Sequence, residues 1–288
     1  MIDVRKLAAA FHFLLNPGRY GHPSLKWLFH TSSQCDARFE ARFGEAFKRI
    51  RSDAEFHYVA INGEAFVWPK SSPIDCLKQI LSELIQEDHP HHYDVPPTKV
   101  TANDIVLDIG ASEGAFAASA MARGAKVVLV EPSRTMHRVI RQLFMVRKLG
   151  EPRLFEYLLG DIHAQAHFLE DVGNPAASRA ALGRTADTYP VEMLTLDEFA
   201  LRHLQEGVTY IKCDAEGWDC KILKAGFALL QKYRPKISVT TYHNRADYRD
   251  ISEFLHELNY SCSGKGLLYS GGALRTLMLH AVPRVPSS

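Results

Sequence analysis

Hydrophobic positions along the chain follow two different patterns, and they change near residue 97. Before it, apolar residues recur mostly at helical spacing. Residues 3–15 predict one helix. Residues 34–50 predict a second, with Phe39, Phe43, Ala46, Phe47 and Ile50 on one stripe that reads as core packing. Residues 56–68 alternate loosely around Asn62-Gly63, the signature of a β-hairpin. Residues 73–87 predict a further helix with Ile74, Leu77, Ile80, Leu81 and Leu84 facing inward, and residues 90–97 a connecting loop.

After residue 97, short continuous apolar runs alternate with helical stretches. The runs predict strands at 105–109, 127–130, 153–159, 210–213 and 236–241. Helices are expected at 115–123, 136–149, 218–232 and 251–258. Residues 261–268 and 273–280 predict a terminal antiparallel pair joined at Gly271-Gly272. Alternation of this kind implies an α/β domain. Its sheet is mostly parallel and seven-stranded, with helices on both faces. The expected division is 1–97 as an α+β accessory region on the substrate side and 98–288 as the main domain. Residues 174–188, rich in Ala, Gly, Ser and Pro, read either as a mobile substrate loop or as a passive surface insertion. There is no internal repeat.

At 288 residues the chain can bury one large core with an appendage. A formal net charge of +1 with mixed signs offers no basic stripe, so nucleic acid is not an expected partner. Five cysteines without a C-x-x-C pair point to a reducing compartment rather than a disulfide frame or zinc knuckle. His89, His91 and His92 lie between prolines without the helical spacing of metal ligands, and read as a solvated loop. Arg5-Lys6 and the apolar run after it loosely resemble a leader. The run is short, His12 interrupts it, and no small-residue cleavage site follows. No stretch approaches the ~20 apolar residues of a membrane span. The expectation is an amphipathic first helix in a cytoplasmic protein.

The candidate chemistry starts at Asp104-Ile-Val-Leu-Asp-Ile-Gly-Ala-Ser-Glu-Gly114, followed by Lys126-Val-Val-Leu-Val-Glu-Pro132. This reads as strand, glycine turn, helix, strand, with an acid at the end of the second strand. Gly110 permits a sharp turn and close approach of backbone to a ligand, and Gly114 lets the next helix pack near the strand. Glu131 is placed to accept hydrogen bonds from both hydroxyls of a ribose. A dinucleotide site would want G-x-G-x-x-G to seat a pyrophosphate on the helix N-terminus. Here Asp108 replaces the first glycine, and Glu113 would repel a pyrophosphate. An acidic turn suits a ligand with a sulfonium and an ammonium group, as in S-adenosylmethionine. The rival readings are a plain βαβ turn and a nicotinamide oxidoreductase.

Ligands of open α/β sheets bind beyond the carboxyl ends of the strands. That rule gathers Asp108 and Gly110, then Glu131, Pro132 and Ser133, Asp161 and Ile162, Asp214 and Glu216, and Tyr242 with His243. Asp161 could accept from an adenine amino group with Ile162 against the ring, or merely cap a turn. Asp214 and Glu216 could position an acceptor, bind the cationic end of the cofactor, hold a divalent metal, or cap the helix near Trp218. His243 is either structural or a general base, since histidine titrates near neutral pH.

Together these motifs resemble the FkbM-type methyltransferases, from about His91 to the C-terminus. The resemblance adds His92-Tyr93, Thr195-Leu-Asp197, Ile211-Lys-Cys-Asp-Ala-Glu-Gly217 and Pro235-Lys-Ile-Ser-Val-Thr-Thr-Tyr-His243. It implies a Rossmann-like class I methyltransferase fold with S-adenosylmethionine as cofactor and S-adenosylhomocysteine as product. Tyr93, Asp108, Gly110, Ala111, Ser112, Glu113, Gly114, Glu131, Pro132, Ser133, Asp161, Ile162 and Asp214 would contact the cofactor. Lys212, Asp214, Glu216 and His243 would line the reaction centre, with His243 as base; whether a metal joins them stays open. The implied reaction is O-methylation of a sugar or natural-product hydroxyl. The alternatives are methylation of a peptide carboxyl or amine, and a cofactor-binding module without catalysis. Trp218 departs from the small residue expected after Glu216-Gly217, and the first ninety or so residues match nothing in the family pattern.

Overall fold

The computed structural model describes all residues except 1–3, 21–23, 29, 172, 174–177, 182–187, 271–272 and 285–288. The first part of the chain contains α1 (Val4–Leu15), α2 (Ser32–Lys48), β1 (Arg51–Ser52), β2 (Phe56–Ile61), β3 (Glu64–Pro69) and α3 (Ile74–Ile85). Then come β4 (Ile105–Ile109), α4 (Ala115–Ala122), β5 (Lys126–Val130), α5 (Arg134–Arg147), β6 (Arg153–Phe155), β7 (Leu158–Gly160), β8 (Ala164–Leu169), β9 (Arg179–Ala181) and β10 (Thr188–Thr195). The last third holds α6 (Leu196–His203), β11 (Tyr210–Cys213), α7 (Asp219–Lys224), α8 (Phe227–Tyr233), β12 (Lys236–Thr240), α9 (Asp247–Glu257), β13 (Tyr260–Ser270) and β14 (Ala273–Pro283).

Seven strands form the main sheet in the order β13-β14-β12-β11-β4-β5-β6. Strands β12 through β6 run parallel, and β14 pairs antiparallel with both β12 and β13. This is the expected Rossmann-like architecture. Alternate side chains of β4 divide between two cores. Val106 packs with the α4, α5 and β3 side, and Leu107 and Ile109 with the α6 to α9 side. Among the described residues, no helix is long and apolar enough to cross a membrane.

The segments before residue 98 do not form a core of their own. Phe39, Phe66, Trp68, Leu77 and Leu81 share one buried cluster with Phe116, Val139 and Leu143. The boundary near residue 97 marks a change in sequence pattern rather than a gap in packing. The loop after α3 corrects the solvated-histidine reading: His89, His91 and His92 are 0%, 6% and 5% exposed. His91 Nδ1 lies 2.7 Å from Glu83 Oε2, and His92 Nδ1 lies 2.8 Å from the Glu83 carbonyl oxygen. These bonds fasten the loop beneath α3, and burial holds the His89 pKa down to about 3.

Three other expectations change. The run 153–159 is two strands. The chain leaves the edge of the main sheet after Phe155, and β7 pairs with β10 in a separate sheet of order β7-β10-β8-β9. The stretch 218–232 is two helices. An added side chain at Gly226 would come within 2.4 Å of Leu196 Cδ2. The two Asp197 carboxylate oxygens accept from the amides of Ala228 and Leu229, which restarts the helix as α8. Helix α6 was not anticipated, although Thr195-x-x-Glu198 spells a capping box, and both of its reciprocal bonds are present. Of residues 174–188, most lie outside the described residues, as does the Gly271-Gly272 turn.

Candidate active site

A cavity of about 330 Å³ opens beyond the carboxyl ends of β4, β5 and β11. Its floor is the glycine turn. Gly110 takes φ +69°, and a Cβ there would stand 1.9 Å from the Asp214 carbonyl oxygen. The close approach that demands glycine is therefore to the loop after β11. Gly114, at φ +79°, is crowded by Ile140 of α5 rather than by the strand. Both glycines are fixed by packing that shapes the turn.

Tyr93, Gly110, Ala111, Ser112, Glu113, Glu131, Pro132, Ser133, Lys212, Asp214 and Glu216 all line the cavity. At the end of β5, Glu131 is 7% exposed. Its Oε2 accepts from the Ser112 amide at 2.8 Å and its Oε1 from the Ser133 amide at 2.9 Å. Burial outweighs these bonds and raises its pKa to about 7. The carboxylate is thus aimed by the backbone on both sides of the turn, and each oxygen keeps a lone pair for a ligand hydroxyl.

Asp108, Gly114, Asp161, Ile162 and His243 are not part of the lining. Asp108 is fully buried behind Lys212, whose Nζ lies 3.1 Å from Asp108 Oδ1 and also donates to the Gly110 carbonyl. Burial opposes the charge on Lys212, but Asp108 and Asp214 outweigh it and hold the ammonium protonated. Asp214 accepts from Tyr93 Oη at 2.5 Å and from Thr240 Oγ1 at 3.1 Å. Despite burial, Lys212, His91 and His243 keep Asp214 ionised, below the usual carboxylate range. One ammonium between two carboxylates leaves surplus negative charge at the cavity wall. Asp161 sits on the surface, exposed and 3.2 Å from Lys221, and Ile162 is 59% exposed. Neither lines the cavity. Instead Met136, Leu158, Leu159 and Phe168 form an apolar wall beside Glu131.

His243, the residue assigned as base, stands between two carboxylates. Its Nε2 lies 3.2 Å from Glu216 and its Nδ1 3.5 Å from the fully buried Asp219. Burial disfavours its charge, but Asp219 and Glu216 prevail and raise its pKa to about 10. An imidazolium has no lone pair to receive a proton at neutral pH. Asp214, Glu216 and His243 bring one ligand atom each within 4.8 Å of one another, a spread that would also suit a cation. His243 pairs with Glu216 and with Asp219 in an ion-pair network at the same place. Neither Asp214 nor Glu216 caps α7, whose N-cap carries no side-chain hydrogen bond; Asp219 instead holds the loop before the helix, accepting from the amides of Ala215 and Gly217. Asp219 was missed, although an acid in the first turn of a helix is a recognisable signal. Glu83, His91, Trp68 and Tyr242 also line the cavity. Glu83 and Trp68 come from the region whose sequence matched no pattern, and His91 stands at its edge.

Trp218, the departure from the expected small residue, forms part of the cavity wall and lies under the Lys221 ammonium. The motif Thr195-Leu-Asp197 lies away from the cavity and serves to cap α6 and α8.

Comparison with known proteins places these features. No curated protein matches the chain. Among solved structures, it is similar to the methyltransferase FkbM from Methylobacillus flagellatus KT (16% identity, TM-score 0.47). That match covers 73% of this chain and 56% of the other, so the chain spans just over half of that protein's length. It is also similar to a magnesium protoporphyrin IX methyltransferase from Synechocystis PCC 6803, solved with bound SAM (15% identity, TM-score 0.37, covering 63% of this chain and 71% of the other). An rRNA methylase from Streptococcus thermophilus overlays at 11% identity and TM-score 0.42, covering 65% of this chain and 90% of the other. The family described as Methyltransferase FkbM domain matches residues 108–262, from the buried aspartate of β4 into β13. That match spans more than half of the sequence, and the chain belongs to the FkbM methyltransferase family.

Proposed function

We propose that the protein is an S-adenosylmethionine-dependent O-methyltransferase acting on a hydroxyl of a small molecule, a sugar or natural product. The observation that carries this reading is the Glu131 carboxylate, aimed by the Ser112 and Ser133 amides at the end of β5 beside the glycine turn. A ribose with two free hydroxyls is the natural partner of such a group. The charge of the site fits the same ligand. Glu83, Glu113, Glu131, Asp214 and Glu216 line the cavity with Lys212 as its one lysine among the described residues, and Asp108 already engages that lysine. A sulfonium and an ammonium are favoured there, and a pyrophosphate is not. The apolar wall of Met136, Leu158, Leu159 and Phe168 suits the adenine ring in place of Asp161 and Ile162.

The bound cofactor supplies an electrophilic methyl group. The chain's residues supply position and charge. Asp214, steadied by Tyr93 and Thr240, faces the cationic end, and Lys212 locks the glycine turn through Gly110. The acceptor is assigned to the part of the cavity lined by Trp68, Ile80, Leu84, Glu216 and Trp218. Alignment of oxygen, methyl carbon and sulfur accounts for much of the rate in this chemistry.

Calorimetry with S-adenosylhomocysteine and with NAD tests the donor half: binding of the first and not the second is expected, and the reverse overturns the reading. Methyl-labelled cofactor with a panel of hydroxylated acceptors tests the other half. A base-stable ether product is expected, whereas a base-labile ester would show a carboxyl acceptor.

A further inference from the structure

Both ring nitrogens of His243 face carboxylates, Glu216 at 3.2 Å and Asp219 at 3.5 Å, which leaves the acceptor's proton to another group. We propose that His91, oriented by Glu83, is that group. The inference rests on the O-methyltransferase reading and adds a residue from outside the family match at 108–262.

Four observations meet at His91. Its Nδ1 lies 2.7 Å from Glu83 Oε2, with the two side chains 8% and 16% exposed. A carboxylate can only accept, so Nδ1 carries a proton, and whenever the ring is neutral its lone pair lies on Nε2. Nε2 is buried and has no hydrogen-bond partner among the described residues. The same atom of His89, His203 and His280 is also buried without a hydrogen-bond partner, so the Glu83 contact and the place in the cavity wall are what single out His91. The ring belongs to the cavity wall, 5.3 Å from the Tyr93 ring and 5.4 Å from the Tyr242 ring. Tyr93 in turn holds Asp214. Its neighbours His89 and His92 line no part of the cavity and have no carboxylate at hydrogen-bond distance on the ring; burial lowers the pKa of both. His91 is raised instead: burial opposes the charge, and Glu83 and Asp214 outweigh both it and the cationic His243. The groups facing the ring are Glu83 from α3, His89 from its own loop, Tyr93 and Asp214, and Tyr242 and His243 from the segment after β12.

The balance of the step is simple. The acceptor oxygen forms its bond to the methyl carbon as the carbon–sulfur bond breaks, and that electron pair stays on sulfur. The hydroxyl proton passes to His91 Nε2. The new imidazolium is stabilised by Glu83, and solvent later removes the proton.

The test uses the full chain with two readouts. Histidine ¹⁵N spectra of the S-adenosylhomocysteine complex should show His91 with its lone pair on Nε2 and a titration midpoint above 6.5. A lone pair on Nδ1, or no titration, overturns the proposal. In turnover, His91→Asn should lower kcat by about 10²–10⁴-fold, with S-adenosylhomocysteine affinity within threefold of wild type. A kcat within threefold of wild type overturns it. Glu83→Gln, a second variant should the first fail to fold, should move the acid limb of the kcat/KM profile to lower pH; an unmoved limb rejects the orienting role. If wild type binds S-adenosylhomocysteine yet methylates no hydroxyl in the panel, the O-methyltransferase reading fails, and the spectra alone decide the state of His91.

Discussion

The protonation of Glu131 gives cofactor binding a specific pH dependence. The carboxyl is 7% exposed, and burial raises its pKa from 4.5 to about 7 against the pull of two backbone amides. That rise corresponds to roughly 3 kcal/mol in favour of the neutral form in the ligand-free protein. The sign follows directly. Because the folded pKa is raised, the contribution of this group to stability is present in full below 4.5 and is lost as pH rises through about 7. A ribose reverses the preference, since both of its hydroxyls donate and only the ionised group accepts at both oxygens. The apparent Kd therefore scales with the ionised fraction, and between pH 7.5 and 5.5 it should weaken about 25-fold. Calorimetry with S-adenosylhomocysteine in buffers of different ionisation enthalpy should show about one proton released on binding at pH 5.5 and a minority of one at pH 7.5. Glu131→Gln should remove this dependence. It should also weaken binding at pH 8 by about 5–150-fold, the loss of charge-assisted hydrogen bonds worth about 1–3 kcal/mol. The variant carries a further penalty visible in the structure. Both Glu131 oxygens accept a backbone amide, so a carboxamide must set its NH₂ against the N–H of Ser112 or Ser133. A wild-type Kd constant within twofold from pH 5.5 to 7.5, or a Gln variant that binds like wild type, would refute the role of Glu131 as the ribose acceptor.

Other consequences concern stability and charge. Lys212→Met leaves Asp108 buried without its partner and should cost about 3–5 kcal/mol in urea unfolding, with part recovered in the Lys212→Met, Asp108→Asn double variant; a cost under about 1 kcal/mol would mean that the pair is solvated. Gly110→Ala forces a Cβ to 1.9 Å from the Asp214 carbonyl at φ +69° and should lower Tm by at least about 5 °C, whereas Gly63→Ala, at φ +82° with open space around it, should cost about 1 kcal/mol; equal losses would argue against the close approach. His243 should remain charged by NMR through pH 8, since its pKa is raised to about 10. Its stabilisation is full below 6.5 and is lost as pH rises through about 10; a midpoint under 7.5 would restore it as a candidate base.

The main sheet was legible because its signals are local. Apolar runs such as Val127-Val128-Leu129-Val130 suit only a strand covered on both faces, and the βα turn carries its own glycines. Glu131 was equally legible, since a strand end and a following turn fix where its side chain goes. Asp161 was not. The same strand-end rule placed it at the ligand edge, but the chain departs the main sheet after Phe155, and a separate sheet carries Asp161 out to Lys221. The second sheet was missed because its short strands draw their pairing from residues far apart in sequence.

The sequence by itself determined the parallel sheet, the glycine turn and the acid at the end of β5, all consequences of backbone geometry within a few residues. Only the tertiary structure decided which charges surround each histidine of the site. His243 and His91 look alike in sequence. Folding sets two carboxylates around the first and one behind the second, leaving Nε2 of His91 unpartnered in the wall of the site. Protonation depends on charges brought together from across the chain, and those distances exist only once α3, β11 and β12 are packed around one cavity.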